Sequence, residues 1–217
     1  MSAPTETLSA ADIDASDEYE LLAWWKNPIT IGALAIALLV LSAALGFVVG
    51  NNSALADPND TDVGFLQDMR VHHEQAVQMA LIYLNTDGTD PALRTIAREI
   101  VVGQNIEIGR MIQLLRDFGK SEVNDTDIAM TWMGEPIAVD RMPGLATDSD
   151  LIALSSAQGA EADAMFVKLM SAHHEGGIHM ADMAASMAGT NEVKLMAKQM
   201  AGSQREEIVE MAQLAAA

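Results

Sequence analysis

The chain has 217 residues, no cysteine and a formal net charge of −19, from 31 acidic and 12 basic residues. The lack of cysteine excludes disulfides, iron–sulfur clusters and thiolate metal sites. The negative charge disfavours nucleic acid as a partner, because surfaces that bind nucleic acid are basic. Fifteen methionines against 4% aromatic residues favour helices and leave methionine two roles, core packing and soft-metal binding.

The N-terminal region contains a predicted transmembrane helix. Residues 29–49 carry no charge, and at about 1.5 Å per residue they are long enough to cross roughly 30 Å of hydrocarbon. Trp24 and Trp25 precede the span, where aromatic rings favour the membrane interface, and Lys26 is the one basic residue before it. This pattern predicts a single-pass protein of the cell membrane, with an acidic cytoplasmic tail at residues 1–28 and an exported (periplasmic or extracellular) C-terminal domain.

A cleaved signal peptide is the alternative to an anchor. Ala54-Leu55-Ala56 resembles a cleavage site. The preceding tail is long and acidic, however, and the apolar run is longer than the core of a signal peptide. We therefore favour an uncleaved anchor, followed by a linker at residues 50–61 that is rich in Asn, Asp, Ser and Pro.

The remainder of the chain, residues 62–217, repeats itself with an offset near 100 residues. The repeated positions are aromatic, methionine and paired histidine residues, namely Phe65, Met69, His72, His73 and Met79 in the first unit and Phe166, Met170, His173, His174 and Met180 in the second. Each unit predicts two helices joined by a turn, at 62–86 and 90–117 and again at 159–188 and 190–216. With a long crossover at 118–158, the sequence predicts an all-α fold in which a transmembrane helix precedes a four-helix bundle made of two repeated helix pairs.

Helical periodicity places both histidine pairs on faces that are otherwise made of core residues. At about 100° per residue, His72 and His73 share one arc with the neighbouring methionines, and the second unit repeats this arc. The partner helix of each unit carries a carboxylate on its apolar face, Glu107 in the first and Glu207 in the second. Because a buried carboxylate is costly unless it is paired or bound, we expect these two glutamates near the histidines.

Two interpretations of this pattern stay open. In the first, each repeat forms a metal site, because imidazole and thioether ligands together suit copper, and the glutamates bind the metal or its ligands. The candidate ligands are Met69, His72, His73, Met79, Glu107 and Met111 in the first repeat, and Met170, His173, His174, Met180, Glu207 and Met211 in the second. In the second interpretation, the methionines fill the core and the histidines are hydrogen-bonded core residues.

Two further features lie outside these sets. His179 falls on another side of its helix and is predicted to be peripheral. The crossover contains Met130, Trp132, Met133 and Met142 and is too long for an idle connection. It is predicted to be an ordered cover with the tryptophan in a groove, or a methionine-bearing flap over a metal site.

Known catalytic patterns do not fit the chain. Di-iron bundles need Glu-x-x-His on two helices, and zincins need His-Glu-x-x-His. Neither spacing occurs, and the chain contains no phosphate-binding loop or nucleophile elbow. The sequence therefore predicts a protein that is not an enzyme.

The motif Met142-Pro143-Gly144, followed by the block from Gly159-Ala160-Glu161 to Met180-Ala181, resembles the ferritin-like family catalogued as domain of unknown function 305. The resemblance covers about residues 60 to 217. It implies a duplicated four-helix fold in a secreted or membrane-anchored protein. It also implies copper binding in some members, through the paired histidines and the methionines.

The chain departs from the family pattern at two places. Leu145 replaces a methionine that many members carry, which removes one thioether. Gly176-Gly177 replaces a less flexible pair and is expected to loosen the helix just after His174.

The predicted function is that of a membrane-anchored, exported copper-binding protein that buffers copper or delivers it to a cuproenzyme. The alternative is a non-catalytic accessory or assembly subunit of a membrane respiratory complex, such as a cytochrome oxidase.

Overall fold

The computed structural model describes residues 23–53 and 56–215. Most of the predicted acidic tail, and Ala54-Leu55 of the alternative cleavage site, lie outside the described residues. The described part is helical, with one short pair of strands. In chain order its elements are α1 (Pro28–Ser53), α2 (Asp60–Leu84), α3 (Pro91–Asp117), β1 (Ile128–Ala129), β2 (Ile137–Ala138), α4 (Asp148–Ser156), α5 (Gly159–Met187) and α6 (Asn191–Ala215).

Helix α1 forms a unit of its own. It begins at Pro28, a residue suited to the first helical turn, directly after a short 3-10 turn that contains Trp24 and Trp25. The segment Pro28–Val48 has a mean hydropathy of 2.6, and none of it is buried. Its length and composition are those of a membrane span or of a signal sequence.

The second unit contains the two repeats. The long helices α2, α3, α5 and α6 begin and end within two residues of the predicted bounds. The start signals act as expected, because Asp90 accepts hydrogen bonds from the first backbone amides of α3 and Pro91 occupies the first turn. The prediction missed α4 and the two-residue strands, which lie in the crossover between the repeats and lack a periodic apolar pattern of useful length.

The first helices of the two repeats, α2 and α5, run antiparallel and face each other. The ring of Tyr83, near the end of α2, stacks on that of Phe166, near the start of α5, with centroids 4.2 Å apart. The buried apolar side chains fall into two clusters. We call the cluster with Phe65, Met69 and Met180 the first cluster, and the cluster with the Tyr83–Phe166 stack the second.

In each repeat, an aspartate accepts hydrogen bonds from the turn that joins the two helices of the other repeat. At the start of α2, the buried Asp62 accepts hydrogen bonds from the amides of Gly189 and Thr190, in the turn between α5 and α6, at 2.8 and 3.1 Å. At the start of α5, Asp163 accepts one from the amide of Asp90, in the turn between α2 and α3, at 3.0 Å. The repeats are therefore locked together at both ends.

The crossover is anchored on α2 by a buried carboxylate. Asp68 accepts hydrogen bonds from the Trp132 indole at 2.9 Å and from the Met130 amide at 2.7 Å. The indole ring also packs edge-on against Phe65, with centroids 5.9 Å apart. Burial raises the pKa of Asp68 despite the hydrogen bonds that it accepts. The crossover is thus an ordered cover with Trp132 in a groove of α2.

Candidate metal centre

Four imidazoles meet where α2 faces α5. The rings of His72 and His173 lie 3.8 Å apart, centroid to centroid, and their planes are tilted by 32°. His73 and His174, the next residue of each helix, are buried as completely. The contact between His72 and His173 joins the two repeats, which the sequence predicted to hold separate sites.

The Nε2 atom of each ring has an acceptor. His72 donates to the Pro143 carbonyl oxygen at 3.0 Å, and His173 donates to the carbonyl oxygen of His72 at 2.9 Å. Because a carbonyl oxygen can only accept, the hydrogen of these two rings must be on Nε2. The other two rings contact carboxylates in the same way. His73 pairs with Glu107 at 2.8 Å and His174 with Glu207 at 2.5 Å.

The Nδ1 atoms of these histidines have no partner. Among the described residues, six buried side-chain nitrogen and oxygen atoms lack a hydrogen bond, and they are Nδ1 of His72, His73, His173 and His174 and Oε1 of Gln104 and Gln204. A neutral imidazole with hydrogen on Nε2 presents a lone pair at Nδ1. Leaving such an acceptor buried and unpaired costs about 1–3 kcal/mol. These four Nδ1 atoms are therefore candidate donors to a ligand that accepts lone pairs.

Burial keeps the two central rings neutral. It lowers the pKa of His72 from 6.5 to about 3, although the hydrogen bond to Pro143 opposes the shift. The pKa of His173 is also well below its ordinary value, because of burial and of the neighbouring imidazoles. Neutral imidazole is the form that binds metals.

The six predicted methionine ligands are all fully buried, but they are not grouped by repeat. Met69, Met111 and Met180 belong to the first cluster, and Met79, Met170 and Met211 to the second. In both α2 and α5 the histidine pair lies between these two groups along the helix. Met69 and Met79 are ten residues apart, about 15 Å along the helix axis. The structure therefore separates these two thioethers along α2, and each cluster combines methionines from both repeats.

The two glutamates contact the histidines through Nε2, on the opposite side of the ring from the unpaired Nδ1. Glu107 and Glu207 are also partly open to solvent, with about 24% and 25% of their side chains exposed. Carboxylates in this position orient a metal-binding histidine and raise its basicity. Their place in the structure suits support of the histidines rather than direct binding of a metal. The described residues contain no group of three or more His, Asp or Glu side chains arranged around one point.

The Met142-Pro143-Gly144 segment lies directly on α5 at the site. A Cβ atom on Gly176 would come within 1.9 Å of the Pro143 oxygen, and one on Gly144, which has a φ of +81°, would come within 2.3 Å of the Ala172 oxygen. On the other side, a Cβ atom on Gly177 would be 2.4 Å from Gln204 Oε1. The expected loosening after His174 is wrong. Helix α5 is continuous, and the glycines allow close approach of the crossover and of α6.

The other methionines and the fifth histidine lie outside this group. Met130, Met133 and Met142 of the crossover are buried in the first cluster. His179 is exposed, as predicted, and its Nε2 lies 3.1 Å from Glu135 Oε2. A surface groove of about 570 Å³ lies along α2 near Leu81 and Ser155 and contains none of the histidines. The sequence did not reveal the part that Pro143 plays, because no pattern marks a backbone carbonyl as a hydrogen-bond acceptor.

A model of the domain of unknown function DUF305 matches residues 62–215, so the chain belongs to the DUF305 family. No match was found among curated proteins.

Solved structures of similar proteins extend the comparison. A DUF305 protein of Streptomyces coelicolor, inferred to be secreted, is 37% identical, with a TM-score of 0.65 over 71% of this chain and 91% of that one. A DUF305 fragment from Deinococcus radiodurans is 27% identical, with a TM-score of 0.63 over 74% and 99%. CopM in its Cu(I)-bound form is 28% identical, with a TM-score of 0.52 over 70% and 94%. CopM has also been solved with Cu(II) and with silver.

Proposed function

We propose that this protein binds copper as cargo at the four-histidine centre. The observation that carries the proposal is the set of four buried, unpaired Nδ1 atoms at His72, His73, His173 and His174. Each has its Nε2 hydrogen committed to a carbonyl or carboxylate acceptor, which is the support that metal-binding histidines have. The copper-bound forms of CopM, a similar protein, support the same choice of metal.

The donor set favours copper over harder metals. Magnesium, calcium and manganese prefer oxygen ligands, and the two nearest carboxylates are on the far side of the rings. Neutral imidazole suits both oxidation states of copper, and thioethers favour Cu(I). The buried Met69 and Met180 lie one helical turn or two from the histidines of their own helices, so they are the first thioethers that we assign to the site. Met79, Met170, Met111 and Met211 complete the methionine set around it.

We further propose that the protein buffers or delivers copper and is not an enzyme. The site is closed, with its imidazoles fully buried, and it offers no open face on which a substrate would react. Helix α1 would anchor the protein in the membrane, with its acidic tail in the cytoplasm and residues 62–217 on the exported side as a ferritin-like four-helix bundle.

A competition titration of the full chain in detergent against a Cu(I) chelator tests the proposal. We expect tight binding that weakens at least a hundredfold in His72→Ala/His173→Ala. The matched control is Glu74→Ala/Glu175→Ala, which removes exposed carboxylates beside the other two histidines and leaves the affinity unchanged.

A second variant keeps the test independent of folding defects. Met69→Leu/Met180→Leu conserves core volume and removes two thioethers, so it weakens Cu(I) binding about tenfold while the thermal unfolding temperature changes little. An affinity for Cu(I) that is the same in the wild type and in both site variants would overturn the proposal.

The partner of the protein is a separate proposal. A copper carrier at the membrane would deliver its copper to a cuproenzyme. The alternative, an accessory role in a respiratory oxidase complex, stays a prediction from the sequence. Purification from native membranes in mild detergent tests it. A stoichiometric oxidase subunit in the preparation supports the prediction, and a protein free of partners contradicts it.

A further inference from the structure

The outer surface of α5 carries a second set of soft-metal ligands. His179, Met183 and Met187 follow each other at intervals of four residues, so they lie on one side of the helix with about 6 Å of axial rise between neighbours. His179 and Met187 are exposed, with 46% and 40% of their surface accessible, and Met183 is half-buried against the first cluster. We call these three residues the outer stripe.

A carboxylate from the crossover holds the histidine of the outer stripe. Glu135 Oε2 lies 3.1 Å from His179 Nε2. The contact links the ring to the crossover through Nε2 and does not involve Nδ1. The same arrangement of a carboxylate on Nε2 occurs at His73 and His174 in the buried centre.

Packing alone does not explain the composition of the outer stripe. With the repeat offset of 101 residues that relates His72 to His173, the corresponding residues are Gln78 and Ile82 in α2 and Thr86 just beyond its end. The first repeat therefore has none of the three soft ligands at these positions. A methionine as exposed as Met187 contributes little to core packing. The second repeat has gained ligands that its fold does not require.

Buried methionines of the first cluster lie between the outer stripe and the histidines along α5 and α2. Met180 is one turn from Met183 along α5 and lies in the first cluster. Met69, from α2, belongs to the same cluster and is one turn from His72. Successive methionines of this set are therefore neighbours on one helix or members of one packed cluster.

We propose that His179 and Met183, with Met187 beside them, form an entry site that captures Cu(I) and passes it through Met180 and Met69 to the four histidines. This inference rests on the proposed function, because it assigns the route by which the same cargo reaches the buried centre. Transfer breaks one copper–thioether bond as another forms. The copper stays Cu(I) throughout, so no electron donor or acceptor is needed.

Stopped-flow loading of the full chain in detergent from a coloured Cu(I) chelator complex tests the route. We expect His179→Ala/Met183→Leu to slow the uptake of Cu(I) by at least fivefold while the affinity of the buried centre at equilibrium is unchanged. The matched control is Glu175→Ala/Met165→Leu, which changes an exposed residue one turn from His179 and a half-buried methionine of the same helix. This control loads at the wild-type rate.

A second measurement detects the entry site when the buried centre is disabled. In His72→Ala/His173→Ala, Ag(I), a soft ion of the same charge as Cu(I), should still shift the ring resonances of His179 in NMR spectra. The shift should be lost when Met183→Leu is added. Loading at the wild-type rate by His179→Ala/Met183→Leu, or His179 resonances that Ag(I) leaves unchanged, would overturn the entry site. A wild type that takes up no Cu(I) at all would instead contradict the proposed function, and the Ag(I) result would still decide the entry site.

Discussion

The chemical state of the four imidazoles is set by what each Nε2 contacts. Two backbone carbonyls accept the Nε2 hydrogens of His72 and His173, so the lone pairs of these two neutral rings are left at Nδ1, and two carboxylates pair with Nε2 of His73 and His174. A histidine with a purely structural role in a core normally has both ring nitrogens hydrogen-bonded, because a buried acceptor without a partner is costly. The four buried histidines therefore stabilise the fold less than an apolar core of the same volume would. This cost supports a role of the histidines in binding a ligand.

Acid should destabilise the metal-free protein through the central histidines. Burial lowers the pKa of His72 from 6.5 to about 3, so below pH 6.5 the unfolded chain binds a proton that the folded chain does not. The unfolding free energy is therefore unaffected by His72 above pH 6.5 and falls progressively as the pH falls towards 3, by a few kcal/mol for this group. We expect the unfolding free energy, measured with urea between pH 7 and 4, to fall more steeply in wild type than in His72→Asn/His173→Asn. Equal slopes would contradict neutral burial of these rings.

A single added methyl group tests the contact between the crossover and the site. Gly176→Ala places a Cβ atom 1.9 Å from the Pro143 oxygen, so the segment that accepts the His72 hydrogen bond must move. We expect a loss of about 1–3 kcal/mol in unfolding free energy, the usual cost of overpacking, and weaker Cu(I) binding. Gly202→Ala is the control, because nothing lies within 4 Å of its added Cβ. In that helix position alanine should stabilise by up to about 1 kcal/mol. Equal stability of the two variants would contradict the contact.

At the scale of the helices, the two repeats are joined by reciprocal aspartates. Asp62 accepts hydrogen bonds from the turn at Gly189 and Thr190, and Asp163 does so from Asp90 and from the Tyr83 hydroxyl, the latter at 2.5 Å. The hydrogen bond to Asp163, together with burial, raises the pKa of Tyr83. Because each aspartate is on one repeat and its turn on the other, the repeats cannot separate without breaking the hydrogen bonds that hold both turns.

Removing one of these aspartates should weaken the whole domain. Asp62→Ala deletes the box that caps α2 and leaves the buried Thr190 amide and hydroxyl without an acceptor. We expect a loss of about 2–4 kcal/mol, from one cap and two buried hydrogen bonds. Asp60→Ala, an exposed residue in the same turn, should cost less than about 1 kcal/mol. Calorimetric unfolding checks both. If Asp60→Ala costs as much as Asp62→Ala, the aspartate does not hold the turn.

The helices were predictable because their signals are local. The apolar period, the cap at Asp90 with Pro91, and the break at Gly189 all act within a few residues of the chain. Helix α4 and the strands were missed because they are short and are held by contacts from elsewhere, such as those of Asp68 with Met130 and Trp132.

At the scale of the whole molecule, the duplicated sequence places like residues opposite each other. The offset of 101 residues relates His72 to His173, and these two rings pack against each other. The sequence predicted that the histidines face the interior and that glutamates lie beside them. It did not predict that the two pairs form a single group, because the pairing of α2 with α5 depends on tertiary packing, on which helical periodicity carries no information.

The state of the site histidines is the central claim, and NMR of the ¹⁵N-histidine-labelled full chain in detergent tests it most directly. The account predicts that the rings of His72 and His173 carry hydrogen on Nε2 and none on Nδ1 at neutral pH. It further predicts that added Cu(I) shifts their Nδ1 resonances and leaves the Nε2 hydrogens in place. Hydrogen on Nδ1 in these rings, or Nδ1 resonances that do not respond to Cu(I), would contradict it.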